Sequence, residues 1–201
     1  MRNQGDRTTM DDRASELDDD SLLRRIQEGD HEAFASLVHR HTKRFFSVAY
    51  RIVQHRDDAE DIVQGAFLKL WERPDLWDQR KQTKFTTWFY AVVTNLGLDH
   101  RKRKRPLPLS DEIDLVDGRP GQDDLLHHKQ RRALLDGVML DLPERQQLAL
   151  NICFYEGLSN QEAADVMGIN LKAVQSLIMR AKTTLKERLK DALVKVPQGA
   201  E

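Results

Sequence analysis

Cysteine is almost absent from this chain of 201 residues, in which Cys153 is the only one. A single thiol excludes an internal disulfide and any cysteine-rich metal site, and it fits a reducing, cytoplasmic setting. Set in the apolar run ALNICF, Cys153 reads as a small buried hydrophobe rather than a redox group. Long apolar stretches are missing as well. Each hydrophobic run is cut by charge, so no segment is long enough to cross a bilayer and direct membrane insertion is not expected. The opening MRNQGDRTTMDDRASELDDD holds none of the apolar core that a signal peptide needs. Metal-ligand spacing is missing from the histidines. His127 and His128 are adjacent rather than one helical turn apart, and His39 and His41 fall on opposite helix faces, where they read as surface residues. No phosphate-binding glycine loop, nucleophile elbow or cysteine pair occurs. Neither a metal, a cofactor nor an enzymatic activity of the chain itself is expected. Strand-like alternation and tandem repeats are missing too, which leaves helices.

What the chain has is charge, sorted along its length. The formal net charge is only −1, yet residues 21–105 carry 17 Lys/Arg against 11 Asp/Glu, and residues 127–195 carry 11 against 8. Between these blocks, residues 106–126 hold 6 acids and 1 base, and the first 20 residues hold 7 acids and 3 bases. Such sorting speaks of partners rather than fold, and it suggests two polyanion-facing modules. The expected organisation is a disordered acidic tail (1–20), a first helical domain (21–105), a flexible acidic strap (106–126), a second helical domain (127–195) and a short tail (196–201). The fold class is all-α.

Within the first block, DDSLLRRIQEGD reads as a short helix with Ser21 as its N-cap and Gly29 as its stop. Asp30 caps a long amphipathic helix whose apolar positions include Phe34, Leu37, Val38, Phe45, Val48, Ala49 and Ile52. A third helix, 57–72, carries the stripe Ile62, Val63, Ala66, Phe67, Leu70 and Trp71, and its first turn is crowded with acids that suit the helix dipole. A fourth, FTTWFYAVVTNLGLDHRKRKR, has Phe85, Trp88, Phe89, Val92, Val93 and Leu96 as its core stripe. It runs into five consecutive cations and stops before Pro106, because proline pushes the preceding residue out of the α region. Trp71 and Trp88 read as core; the place of Trp77, in a loop, stays open. In the second block, HHKQRRALLDGVMLDL reads as one helix and Pro143 opens another at its first position.

The segment LSNQEAADVMGINLKAVQSLIMRAKTTLKERLKDAL reads helix, tight turn, helix. Ser159 and Glu162 form a capping box, Ala163, Ala164 and Val166 a small close-packing face, Gly168 the turn, and Asn170 the next cap. The second helix holds Val174, Leu177, Ile178 and Leu185 largely inward. It turns Lys172, Gln175, Ser176 and Arg180 outward. That is the build of a helix-turn-helix, whose second helix enters the DNA major groove. Gln, Ser and Lys suit base edges; Arg180 and Lys182 suit phosphate.

Taken together, DDAEDIVQGAFLKLWE, FTTWFYAVVTNLGLDHRKRKR and the helix-turn-helix resemble the bacterial sigma factors of the extracytoplasmic-function (ECF) type, which keep only regions 2 and 4 of the sigma-70 family. The resemblance spans most of residues 20–193. It implies that the third helix docks on the clamp helices of the polymerase β′ subunit through Asp58, Asp61, Gln64, Gly65 and Leu68. It implies that the fourth helix reads and melts the −10 element. Asn95 and Asp99 would lie near the bases, Arg101, Lys102, Arg103, Lys104 and Arg105 would grip phosphate, and Arg80, Lys81 and Lys84 of the preceding loop would border a flipped base. The −35 element falls to Lys172, Ala173, Gln175, Ser176, Arg180 and Lys182. The implied partners are core RNA polymerase (β′ and β), promoter DNA and an anti-sigma factor. Two places depart from the common pattern: Gln175 and Leu177 stand where many members have arginine, and the DQRKQTKF loop has lysine and glutamine where glycine is frequent. The residues alone leave alternatives open. A stand-alone helix-turn-helix regulator would share the second block, a pure sigma mimic would share the docking helix, and the cationic run also serves as a solvated helix end.

Overall fold

The computed structural model describes residues 17–78, 83–104, 137–139 and 141–194. Among the described residues every regular element is helical. The chain divides into two compact units, Met1–Pro108 and Leu109–Glu201. The first sixteen residues, the strap and most of the helix expected from His127 lie outside the described residues, although Gly137–Met139 is helical.

The first unit holds α1 (Asp19–Gln27), α2 (His31–Val53), α3 (Arg56–Glu72), a single 3₁₀ turn (Pro74–Leu76) and α4 (Phe85–Lys104). Capping chemistry sets the starts. Asp18, not Ser21, caps α1, its carboxylate accepting from the Ser21 N–H at 2.9 Å. An ionised cap with Asp19 and Asp20 in the following turn suits the helix dipole and moves the start three residues earlier than expected. Asp30 caps α2 as expected, accepting from the N–H groups of Glu32 and Ala33.

The core is aromatic. Phe45 of α2 is fully buried, 4.6 Å centroid to centroid from Phe89 and 5.1 Å from Tyr90, while Phe89 lies 4.7 Å from Phe67 of α3. Each such ring contributes roughly 1.5–3 kcal/mol by burial. On α4 the buried face differs from the expected stripe. Phe85, Phe89 and Val93 are inside, but so are Thr87, Tyr90, Thr94 and Gly97, whereas Trp88, Val92 and Leu96 are only half-buried. The helix is turned so that Gly97 meets α2: a Cβ there would lie 3.1 Å from Ile52 Cγ2. Trp77 proves buried, with its ring 5.7 Å from Trp88 and 5.9 Å from Phe85. Trp71 is half-buried at the edge, 4.4 Å from the His31 ring.

His41 is not a surface residue. It is 6% exposed, and its Nε2 sits 2.9 Å from Asp19 Oδ2, with Arg40 donating to Asp19 Oδ1 at 2.8 Å. Burial pushes the Asp19 carboxyl up, but the hydrogen bonds and charges of His41 and Arg40 outweigh it and hold the group below the ordinary range. The cluster fastens α1 to α2, a task the sequence pattern does not reveal because the two partners stand 22 residues apart.

In the second unit Pro143 occupies the cap position, one residue before the expected first turn of α5 (Glu144–Leu150). The chain continues through a π turn (Asn151–Tyr155) into α6 (Asn160–Met167) and α7 (Leu171–Val194). Ile152, Ala163, Ala164 and Val174 are all but fully buried, so the small face of α6 permits close packing on α7. Cys153 is half-buried rather than fully enclosed, and burial pushes its thiol up.

Gly97 leaves little room for a side chain against Ile52, and it generates a test. Gly97→Val should lower stability by about 1–3 kcal/mol through overpacking against Ile52. Gly97→Ala should lose less, because alanine regains roughly 1 kcal/mol of helix propensity. Urea unfolding followed by tryptophan fluorescence measures both, since Trp71, Trp77 and Trp88 all belong to this unit.

Candidate docking and nucleic-acid surfaces

Three surfaces carry the residues that the sequence singles out. The first is the outer face of α3. Asp61, Gln64 and Leu68 are exposed at i, i+3 and i+7, and Gly65 is half-buried beside them. Leu68 is 52% exposed, an apolar side chain in a polar row. The face borders a groove of about 490 Å³ between α2 and α3, walled by Phe34, Val38, Phe46, Val63, Phe67 and Trp71.

Asp58 does not share that face. Its side chain is only 12% exposed, and both carboxylate oxygens accept from Lys104 Nζ at 2.7 Å. His100 Nε2 lies 3.2 Å from Oδ2 and His55 Nδ1 3.8 Å. Asp58 continues the buried ridge 58–62–66–70 by one turn, a signal available in the spacing had the stripe been extended backwards. Desolvation pushes its carboxyl up, but the Lys104 hydrogen bond and the charges of His100 and Lys104 prevail and hold it low.

The second surface is the end of α4, where the cations divide by helical phase. Arg101 is half-buried and donates to the Ile52 carbonyl at 3.4 Å, and Lys104 is bound to Asp58. Both therefore bond back to the fold, Lys104 while its side chain is still 62% exposed, so the five cations are not equivalent. Lys102 and Arg103 point outward, with Lys102 3.7 Å from Asp99. Asn95 and Asp99 are exposed one turn apart. Lys84 is exposed just before α4; Arg80, Lys81 and Arg105 lie outside the described residues.

The third surface is the leading edge of α7. Ser159 and Glu162 close the capping box on α6, and the turn is a Schellman motif: Ile169 N–H to Ala164 O at 3.1 Å, Gly168 N–H to Asp165 O at 3.3 Å, with Gly168 at φ +61°. Asn170 Oδ1 accepts from the Ala173 N–H at 2.8 Å. Lys172, Gln175, Ser176 and Arg180 stand exposed, while Ala173 is half-buried. Lys182 has its ammonium 4.7 Å over the Phe154 ring. Phe154 and Tyr155 of the π turn and Met179 of α7 are 56%, 47% and 63% exposed, an apolar presence that periodicity did not flag. Among the described residues no cluster of His, Cys, Asp and Glu could hold a metal, and no helix is long and apolar enough to cross a membrane.

Known families match both units. The Sigma-70 region 2 model covers residues 37–106, and the Sigma-70, region 4 model covers residues 132–185, together more than half of the chain. The chain is an ECF sigma factor of the sigma-70 family.

Relatives agree. The ECF RNA polymerase sigma factor SigW of Bacillus subtilis is 25% identical over 182 residues, which is 84% of this chain and 95% of the relative. The ECF RNA polymerase sigma-E factor of Escherichia coli is 26% identical over 187 residues, 88% and 96% respectively. The sigma factor RpoE of Bartonella quintana, solved in complex with the anti-sigma factor NepR, shares the fold at TM-score 0.63 and 21% identity, over 78% of this chain and 96% of that one. Because both blocks belong to one family, the stand-alone regulator is set aside. In this sigma factor the region 2 match ends just past the cationic run, and the region 4 match encloses the turn and the leading edge. Sigma factors of this family bind core RNA polymerase and promoter DNA in transcription initiation.

The low-lying Asp58 carboxyl has a consequence for acid stability. A folded-state value below the unfolded one contributes stability above about pH 4, and that contribution is lost as pH falls through the depressed value. Asp58→Asn should be less stable than the native chain by about 1–3 kcal/mol near neutrality. The gap should narrow as the pH falls below about 4, as urea midpoints across pH would show.

Proposed function

We propose that this sigma factor docks on the β′ clamp helices of core polymerase through Asp61, Gln64, Gly65 and Leu68, with region 4 reaching the β subunit. It melts the −10 element with the outward stripe of α4 and reads the −35 element with Lys172, Gln175 and Ser176, while Arg180 holds phosphate. The observation that carries this reading is Leu68, half exposed in a polar row on the helix that resembles the family's docking motif. Solvated leucines of that kind suit a protein contact. The chain performs no covalent step of its own; opening DNA requires only that binding offset the few kcal/mol lost in unstacking. It acts in the cytoplasm. The acidic strap mimics nucleic acid inside a cationic channel of the polymerase, to be displaced by growing RNA. An anti-sigma factor, like that bound to the Bartonella quintana relative, withholds it from polymerase.

Run-off transcription with purified core polymerase on a promoter library tests the whole reading. The chain should direct specific initiation only with core present, and a footprint by the chain alone would contradict it. Leu68→Lys should change stability by no more than about 0.5 kcal/mol. Its affinity for core should fall by about tenfold or more, as titration of labelled chain with core would measure. Gln175→Ala should cost about 1–3 kcal/mol of discrimination at one base pair of the −35 element, read from competition between promoter variants.

A further inference from the structure

Beyond Gly97, no described residue of α4 is fully buried: Leu98, His100 and Arg101 are half-buried and Lys104 is exposed, so apolar packing holds the last turns of the helix only weakly. Those turns carry adjacent like charges, which repel along a helix. The bonds that reinforce them are polar and come from elsewhere in the chain. Asp58, 46 residues away in sequence, takes both hydrogen bonds from Lys104, with His100 3.2 Å off and Arg101 reaching back to Ile52 O. At 100° per residue, Gly97, His100, Arg101 and Lys104 share one side of α4. Asn95, Asp99, Lys102 and Arg103, at i, i+4, i+7 and i+8, share the opposite side and are exposed.

We propose that Asp58 is a positioning residue for promoter opening: by clamping Lys104 it fixes the rotation of the end of α4 and so aims the Asn95–Asp99–Lys102–Arg103 stripe at the DNA strand. It touches no DNA itself. Because Asp58 lies in the first turn of α3, the latch also ties the polymerase-docking helix to the strand-facing stripe. The inference rests on the reading of α4 as the −10 surface, and it deepens that reading.

Electrostatics alone makes the opposite prediction. Asp58→Asn removes an anion beside the DNA surface and frees Lys104 for phosphate, so a purely attractive account expects faster opening. The test uses holoenzyme assembled from core polymerase and full-length variants. The DNA is a promoter selected by run-off with the native chain and labelled with 2-aminopurine in its −10 element. Asp58→Asn and Lys104→Gln should each slow opening about tenfold, as misplacement of a positioned group does. The double variant should be no slower than either single one, because both remove the same latch. Asp58→Glu, which keeps the charge, should recover part of the rate. Core affinity should stay within about twofold of native, and a template already melted over the −10 element should be used normally, a selectivity that a general folding defect does not produce. Opening by Asp58→Asn at the native rate or faster, with Lys104→Gln slow, would make Lys104 a direct phosphate contact and overturn the proposal. Equal losses on duplex and pre-melted templates would reduce Asp58 to a fold residue and overturn it too. The pair Lys102→Gln with Arg103→Gln separates the two levels. If it opens DNA normally, the −10 reading of α4 fails and the latch falls with it; if it fails to open DNA while Asp58→Asn succeeds, only the latch falls.

Discussion

Phe45 is where three helices of the first unit meet. Its ring, fully enclosed, touches Phe89 and Tyr90 of α4 and faces Phe67 of α3 at 6.3 Å. Everything displayed on the outside of this unit is placed by that burial. It fixes the phase of α3, so that 61, 64 and 68 look outward, and it fixes the phase of α4, so that Gly97 presses on Ile52. A surface row is informative only when the opposite side of the helix cannot rotate, and tightly packed rings give that guarantee better than a looser aliphatic core.

The helices themselves were legible in the sequence. Apolar spacing placed α2, α3 and α4 within a residue or two, and the capping box, glycine turn and Asn170 cap placed α6 and α7. Polar residues with an interior task were not legible. His41, Asp19 and Asp58 look like surface residues in a one-dimensional reading, because their partners come from other helices. The buried face of α4 departs from its apolar spacing for a related reason. Tyr90, Thr87 and Thr94 are buried although two are hydroxyl residues of small apolar area, while the larger Trp88 settles at the flank against Trp77 and Phe85. Helix phase depends on which neighbours surround it, and hydropathy does not encode that.

The candidate surfaces were legible to different depths. The exposed rows on α3 and α7 follow from subtracting the core stripe, so Leu68, Gln175 and Ser176 stand where the spacing puts them. In the sequence the cationic run is one patch. Its division into bracing and outward-facing members depends on a carboxylate 46 residues away, and no local rule supplies that information. Five cations in a row are thus two structural classes interleaved by the helical period, with Lys102 and Arg103 facing outward, half-buried Arg101 and the exposed Lys104 bonded back to the fold, and Arg105 outside the described residues.

The two helices proposed to face nucleic acid differ in how freely they can drift over generations. On α7 the outermost side chains, Lys172, Gln175 and Ser176, have no packing duty, and the Schellman turn and Asn170 cap hold the backbone without them. Exchanging such residues alters stability by only about half a kcal/mol, so target preference can wander there one codon at a time while the fold stays put. On α4 the outer stripe is exposed in the same way, but Lys104 beside it is bonded to the nearly buried Asp58, so that pair cannot be exchanged one residue at a time without losing the bond.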